Sequence, residues 1–136
     1  MLVALALVLA SAPSASARDA SGPCDFHRDE GQTVRQFSKA QIRCAVTRWP
    51  VPGGNDVALC IAKRESRLLP WAESGDGLNK GLFQLHVRYW DGNYDAYARP
   101  TWRLPKRILS GRTNAIVSIR MAHDIGWAPW GGRTCS

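Results

Sequence analysis

The sequence predicts a small, mainly α-helical domain of the α+β class, with one short β-hairpin in its middle. Apolar residues recur at helical spacing in two consecutive stretches of the first half and in one stretch near the carboxyl end. A segment rich in glycine, asparagine and proline separates them, which is typical of loops and small hairpins. We divide the chain into a leader (1–17), an amino-terminal arm (18–37) and a domain (38–136).

The leader has the pattern of an export signal. Residues 2–10 form an unbroken apolar run that is too short for a stable transmembrane anchor. Small residues follow, ending in Ala15-Ser16-Ala17, as at signal-peptidase sites. No lysine or arginine precedes the run, and an uncleaved membrane tether is the alternative. We expect cleavage after Ala17 and a protein that is secreted or associated with the cell wall.

The four cysteines of this exported chain predict two disulfides. Three connectivities are open. We favour Cys44–Cys60, which joins consecutive helices, together with Cys24–Cys135, which ties the two ends of the domain. Neither the cysteines nor the three histidines have the spacing of metal ligands, so we expect no metal and no cofactor.

The formal net charge of +7 favours polyanionic partners. The positive side chains are scattered along the sequence, and no nucleic-acid-binding motif accompanies them. We therefore expect a loose attraction to anionic polymers of the cell envelope and no nucleic-acid partner. We also expect a monomer.

The first half predicts two short helices. Ser38 and Gln41 form a capping-box pattern at the start of the first, and Pro50 ends it. Asp56 is the expected N-cap of the second, which runs to about Arg67.

Glu65 lies near the end of the second helix, on an otherwise apolar face. The residues that share this face are Val57, Ile61 and Leu68. We expect partial desolvation of the Glu65 carboxyl group, which favours its protonated form and suits a general acid. Arg64 and Arg67 are predicted to point away from it. The alternative is a structural carboxylate at a helix end, reaching water.

The second half is predicted in less detail. Residues 69–80 read as a loop or small hairpin, and residues 91–111 as a lid-like loop with one helical turn at 106–109. Thr113 or Asn114 is the expected cap of a last helix that ends at Gly126.

Four motifs in this order resemble one family. They are Glu65-Ser66, Gly81-Leu82-Phe83-Gln84, the helix-opening Asn114, and the segment from Gly126 to Trp130. The chain resembles the lytic transglycosylases and goose-type lysozymes, the peptidoglycan-cleaving branch of the lysozyme-like superfamily. The resemblance extends from about Ser38 to Gly132.

The resemblance implies an enzyme with a lysozyme-like fold around a sugar-binding cleft. Glu65 would be the single catalytic acid, and the residues implied in substrate binding are Ser66, Gly81, Phe83, Gln84 and Asn114. The implied substrate is the β-1,4 bond between N-acetylmuramic acid and N-acetylglucosamine in peptidoglycan strands, cut to give 1,6-anhydro ends. The alternative is hydrolysis, with water held by a second carboxylate: Glu73, Asp76 or Asp91.

The chain departs from the family at one place. The family usually carries a tyrosine inside the last helix where this chain has Met121. Tyr89, Tyr94 and Tyr97 are the candidates to supply that hydroxyl from the preceding loop, and we add Tyr89 to the expected substrate-binding residues. The departure leaves room for a catalytically silent wall-binding module. A third reading, a cationic antimicrobial acting by charge alone, lacks the long basic amphipathic helix it requires.

Overall fold

The computed structural model describes residues 22–132 and Cys135. This part of the chain contains four α-helices and one two-stranded sheet, so the predicted mainly α class is confirmed. The elements are α1 (Val34–Arg48), α2 (Gly54–Ser66), β1 (Asn79–Lys80), β2 (Leu85–His86), α3 (Trp90–Tyr97) and α4 (Gly111–Ile125). Each of these helices is too short or too polar to serve as a transmembrane span. The predicted leader and its cleavage site after Ala17 lie outside the described residues.

Helix α1 begins earlier than predicted. Its N-cap is Thr33, whose hydroxyl accepts a hydrogen bond from Gln36 N (3.2 Å), while Gln36 Oε1 accepts one from Thr33 N (2.8 Å). This reciprocal capping box satisfies the free backbone donors of the first turn, so the helix starts inside the expected arm. The predicted capping residues Ser38 and Gln41 are instead buried in the helix interior.

Helix α2 begins at a glycine turn rather than at the predicted cap. Gly53 is the N-cap, with φ of +78°, and a Cβ at this position would lie 2.1 Å from the Val57 side chain. Asp56 therefore lies in the first turn of the helix. Its negative charge there interacts favourably with the positive end of the helix dipole. The helix ends at Ser66, and Arg67 adopts a left-handed conformation as C-cap.

A short hairpin follows α2, as the predicted fold class has it, but it spans 79–86 and lies mostly beyond the predicted segment 69–80. Strands β1 and β2 pair antiparallel, with Asn79 opposite His86 and Lys80 opposite Leu85. The connection contains the Gly81–Gln84 motif, in which both end residues have positive φ. The sequence motif thus lies at the tip of the hairpin.

The predicted lid-like loop is wrong over its first part, which is helix α3. Its aromatic residues Trp90, Tyr94 and Tyr97 recur at the four/three spacing of one helix face, a periodicity hidden by the surrounding polar residues. Trp90 is buried, and its ring lies 5.8 Å from that of Tyr94. This face packs on α4. Where a helical turn was expected at 106–109, the chain forms a hydrogen-bonded turn from Arg107 to Ser110 without helix, and a 3-10 turn lies earlier, at Pro100–Trp102.

Helix α4 is the centre of the core. All seven residues from Thr113 to Ile119 are buried, and α1 and α3 pack against this helix. Its N-cap is Ser110, whose hydroxyl accepts a hydrogen bond from Thr113 N, so neither Thr113 nor Asn114 caps it as predicted. The predicted end at Gly126 is confirmed. Because α4 is buried at consecutive positions, it contacts other parts of the chain on all its sides over this stretch.

Two disulfides are present, as predicted, but the favoured pairing of Cys44–Cys60 and Cys24–Cys135 is wrong. Cys24 bonds to Cys44, and Cys60 bonds to Cys135. Neighbouring helices need not turn their cysteines toward each other: Cys44 faces the arm, and Cys60 faces the carboxyl-terminal segment. Each bond ties a chain end to a helix, and two disulfides in a small domain are typical of oxidising, extracellular environments.

Candidate functional site

An open cleft of about 600 Å³ lies between the end of α2, the hairpin and the carboxyl-terminal part of the domain. Its size falls in the range of small-molecule sites. Both polar and apolar side chains line it. They come from six segments of the chain, and they are Glu65, Ser74, Asn79, Gln84, Leu85, His86, Tyr89, Asn93, Met121, Pro129 and Trp130.

Glu65 lies in the cleft, on the last turn of α2, and its side chain is 25% exposed. Its Oε1 atom accepts two hydrogen bonds from Arg64, at 2.9 Å from Nε and 2.8 Å from Nη2. None of the hydrogen bonds in the described part of the chain involves Oε2. One oxygen is therefore held by protein, and the other is available to a ligand in the cleft.

The prediction that Arg64 points away from Glu65 is wrong. The long side chain folds back along the helix because its guanidinium also donates to the carbonyl oxygen of Trp130, at 2.6 Å. Sequence spacing gives the direction of the Cα–Cβ bond but not the path of a flexible side chain. The surroundings of the carboxyl group are thus less apolar than the helix pattern predicted, and Arg64 orients it.

Among the described residues that line the cleft, Glu65 is the single carboxylate. The three acids considered for a second role form contacts elsewhere: Glu73 pairs with Lys80, and Asp91 pairs with Lys106. Asp76 accepts hydrogen bonds from the Ser74 hydroxyl and from the backbone N–H of Leu78, and these hold its pKa below the ordinary value. The cleft therefore offers one carboxyl group for acid–base chemistry.

Comparison of the chain with protein-family models, with curated proteins and with solved structures found no match.

Gln84 lies in the cleft, as predicted from its motif. Its Nε2 donates to the carbonyl oxygens of Ala72 and Gly81, both at 3.0 Å, and its backbone has a φ of +50°. The bond to Ala72 ties the hairpin tip to the loop after α2, and the bond to Gly81 closes the tip on itself. The side-chain oxygen of Gln84, Oε1, makes no hydrogen bond to another described residue.

The prediction that Asn114 faces the cleft is wrong, because this side chain is fully buried. Its Oδ1 accepts from Phe83 N (3.0 Å), and its Nδ2 donates to the carbonyl oxygens of Lys80 (3.2 Å) and Ile108 (2.9 Å). Its oxygen and its nitrogen both form hydrogen bonds, to the hairpin and to the segment before α4. Asn114 therefore holds the wall of the cleft in place from the protein interior, without facing the cleft.

Gly81 and Phe83 also lie behind the cleft, contrary to the prediction that they line it. Gly81 is buried with φ of +83°, and a Cβ there would lie 2.3 Å from Asn114 Nδ2. Phe83 is fully buried and packs with Trp127 and Trp130, whose ring centroids lie 6.3 and 6.0 Å from its own. Trp130 Nε1 donates to the Phe83 carbonyl oxygen at 2.8 Å. These residues shape the hairpin tip.

Ser66 is likewise structural and does not line the cleft. It is buried, its hydroxyl donates to the carbonyl oxygen of Ala62 at 2.9 Å, and the same hydroxyl accepts from Leu68 N at 3.1 Å. The Ser66 hydroxyl thereby satisfies backbone groups at the end of α2, as Ser and Thr hydroxyls often do.

Tyr89 is the tyrosine that lines the cleft. This residue is 58% exposed. The hydroxyl of Tyr94 donates to the carbonyl oxygen of Leu104, and that of Tyr97 donates to Asp124, both outside the cleft. Met121 occupies the cleft wall at the place where the resembled family has its tyrosine. The three candidates left open by the sequence are thus reduced to one.

His86 is a cleft residue that sequence reasoning missed. Its Nδ1 accepts a hydrogen bond from Arg88 N at 3.1 Å, which assigns the proton of the neutral ring to Nε2. The amides of Asn79 and Asn93 join it in the lining. The signal available was the alternation of β2, where Leu85 is buried and the next residue faces the other side.

The residues described by the structure contain no group of three or more histidine, cysteine or acidic side chains placed to hold a metal ion. The polar groups that the described lining offers are one carboxyl group, one imidazole, the hydroxyls of Ser74 and Tyr89, and several amides. This set suits proton transfer to a neutral, hydroxyl-rich ligand.

Proposed function

We propose that this protein is a secreted peptidoglycan-cleaving enzyme with a lysozyme-like fold, in which Glu65 is the general acid and base. The proposal rests on the resemblance of its motifs to the lytic transglycosylases and on one structural observation. Within residues 22–132 and 135, Glu65 is the single carboxylate that lines the cleft, and its Oε2 atom makes no hydrogen bond there. Export fits the leader sequence and the two disulfides.

In the proposed reaction, Oε2 of the protonated Glu65 donates its proton to the oxygen between N-acetylmuramic acid and N-acetylglucosamine. A proton on Oε2 is compatible with both contacts to Arg64, because a guanidinium only donates hydrogen bonds. The bond from the muramyl C1 to this oxygen breaks, and the leaving sugar departs as an alcohol. The N-acetyl group of the muramyl residue stabilises the positive charge that develops at C1.

The second step returns the proton to Glu65. Its carboxylate accepts the proton of the muramyl C6 hydroxyl while the C6 oxygen bonds to C1, which yields the 1,6-anhydro product. No water and no second carboxylate enter this sequence. Hydrolysing glycosidases, in contrast, commonly use a pair of carboxylates. The positions of Glu73, Asp76 and Asp91 outside the cleft lining therefore favour the transglycosylase outcome over hydrolysis.

The deciding experiment compares Glu65→Gln with the wild-type chain on purified peptidoglycan. We expect turnover to fall by at least about a hundredfold, since the amide has no acidic proton to transfer. Glu73→Gln is the matched control: it changes the same group to the same amide outside the cleft lining, and we expect it to retain activity. Circular dichroism checks that both variants fold.

Mass spectrometry of the digested glycan identifies the reaction. Anhydromuramyl ends support the proposal, whereas reducing ends indicate lysozyme-type hydrolysis. Wild-type chain that binds the wall without cutting it indicates a silent binding module. Undiminished cleavage by the Glu65→Gln variant removes Glu65 from its proposed role.

A further inference from the structure

Two cavities, of about 640 and 540 Å³, lie along α1 and share Lys39 as a lining residue. We call them together the basic groove. Six of the side chains that line it are cations, and no acid is among its described lining residues. The cations are Arg35, Lys39 and Arg43 of α1, and Lys63, Arg64 and Arg67 at the end of α2. The basic groove shares no described lining residue with the cleft that holds Glu65.

The cations of the basic groove form two rows, one on each helix. Arg35, Lys39 and Arg43 follow one another at intervals of four residues, so they lie on one face of α1. Lys63 and Arg67 are spaced likewise at the end of α2. Four residues of an α-helix rise about 6 Å, so each row presents its charges at about this interval. A hydrogen bond from Arg35 Nε to the carbonyl oxygen of Arg67, at 3.1 Å, joins the two rows.

The charge of the basic groove is not neutralised by neighbouring acids. Within residues 22–132 and 135, five of the six cations form no ion pair, and the sixth, Arg64, pairs with Glu65. Asp29 and Glu30 precede the groove in the sequence, but both are exposed and neither pairs with its cations. Like charges held on two packed helices repel one another, and a bound polyanion relieves this repulsion.

We propose that the basic groove binds a linear phosphodiester polymer of the cell envelope, at a place separate from the cleft. Two rows of cations at a regular interval match a chain that carries one negative charge on each short repeat. Guanidinium groups bind phosphate oxygens through paired hydrogen bonds, and ammonium groups bind them as point charges. The envelope as the source of the polymer rests on the proposed function, whereas the preference for repeated phosphates rests on the groove.

Nucleic acids and membranes fit the basic groove less well. Sites for single-stranded nucleic acids add aromatic side chains on which the bases stack, and no described lining residue of the groove is aromatic. Membrane-surface segments add apolar side chains that enter the lipid boundary. The large exposed apolar residues of the described chain lie outside the groove: they are Phe26, Trp71, Leu78, Val87, Tyr89 and Ile125. The groove thus offers charge without a partner for bases or acyl chains.

The test measures the Kd of the full chain for lipid-free poly(glycerol phosphate), labelled at one end, by fluorescence anisotropy between about 50 and 200 mM salt. The groove variant carries Lys39→Gln with Lys63→Gln. The matched control carries Arg103→Gln with Arg107→Gln, which removes the same number of charges at exposed positions outside both cavities. A single-stranded oligonucleotide with the same number of phosphates and vesicles of anionic phospholipid are the comparison ligands. Circular dichroism checks that both variants fold.

We expect the groove variant to bind poly(glycerol phosphate) about tenfold more weakly. Its slope of log Kd against log salt concentration should fall by about 1.4, because each charge removed contributes about 0.7. The control should change the Kd less than about threefold, and Lys39→Arg with Lys63→Arg should keep wild-type binding. Equal weakening by both pairs, or weakening by neither, overturns the inference. Tighter wild-type binding to the oligonucleotide or to the vesicles overturns it as well, since the groove then serves another partner.

The cleft provides an independent readout. Glu65→Gln should bind poly(glycerol phosphate) with the wild-type Kd, and the groove variant should cleave polymer-free peptidoglycan at the wild-type rate. A wild-type chain that binds the polymer as described but cleaves no peptidoglycan refutes the proposed reaction alone. A chain that cleaves peptidoglycan but does not bind the polymer refutes the inference alone.

Discussion

Asn114 offers the sharpest test of the structure, because sequence and structure assign it different roles. Replacement by alanine removes three hydrogen bonds at once, those to Phe83 N and to the carbonyl oxygens of Lys80 and Ile108. A typical hydrogen bond contributes about 1 kcal/mol, and a buried group left unpaired costs about 1–3 kcal/mol. Phe83 is fully buried, whereas Lys80 and Ile108 are half-buried and reach water more easily.

We therefore expect the Asn114→Ala variant to lose about 4 kcal/mol of unfolding free energy, which is a large share of the roughly 5–15 kcal/mol typical of a domain. Urea denaturation followed by circular dichroism measures this loss. Ser118→Ala is the control, one turn later on α4 and equally buried. Its hydroxyl has no hydrogen-bond partner in the described structure, so its removal should change stability by less than about 1 kcal/mol.

The two possible results separate a supporting residue from a residue that touches substrate. If Asn114→Ala unfolds at nearly the wild-type urea concentration and yet cleaves no peptidoglycan, the side chain acts on the ligand and our reading of its burial is refuted. If stability and activity fall together, Asn114 acts through the hairpin tip.

The remaining predictions concern the backbone and the disulfides. Gly81→Ala should cost about 3 kcal/mol in thermal or urea unfolding, since a Cβ there meets Asn114 Nδ2 at 2.3 Å in addition to the left-handed strain. Gly77→Ala, with φ of +72° and open space around it, should cost only about 1 kcal/mol. Removing Cys60–Cys135, with its sequence separation of 75, should destabilise the chain by about 1 kcal/mol more than removing the bond of separation 20. Non-reducing peptide mapping checks the pairing, and a Cys44–Cys60 peptide would contradict it.

Features that depend on neighbours in the sequence were predictable. The end of α1 before Pro50, the end of α4 at Gly126 and the hairpin after α2 follow from residues that restrict their own backbone or that of adjacent residues. The presence of Glu65 at the cleft side of α2 follows from helical periodicity, because its neighbours at this spacing are core residues.

Two local features were predicted wrongly because the sequence pattern was ambiguous: the start of α1 and the helix α3. Two capping-box patterns stand five residues apart at the start of α1, and the one at Thr33 forms while Ser38 is buried. Helix α3 was missed because its apolar face consists of aromatic residues set among polar ones. In both cases burial against another element selects between local alternatives of similar energy.

The sequence by itself determined the helical class, the two disulfides, the hairpin and the position of Glu65 on its helix. Only the tertiary structure decided which cysteines pair, that Asn114 and Phe83 support the cleft from behind, and that His86 and Tyr89 line it. It also brought five cations together from α1 and from the end of α2: Arg35, Lys39, Lys63, Arg64 and Arg67. Backbone conformation responds to residues a few positions away, whereas the meeting of distant side chains depends on how whole elements pack around α4.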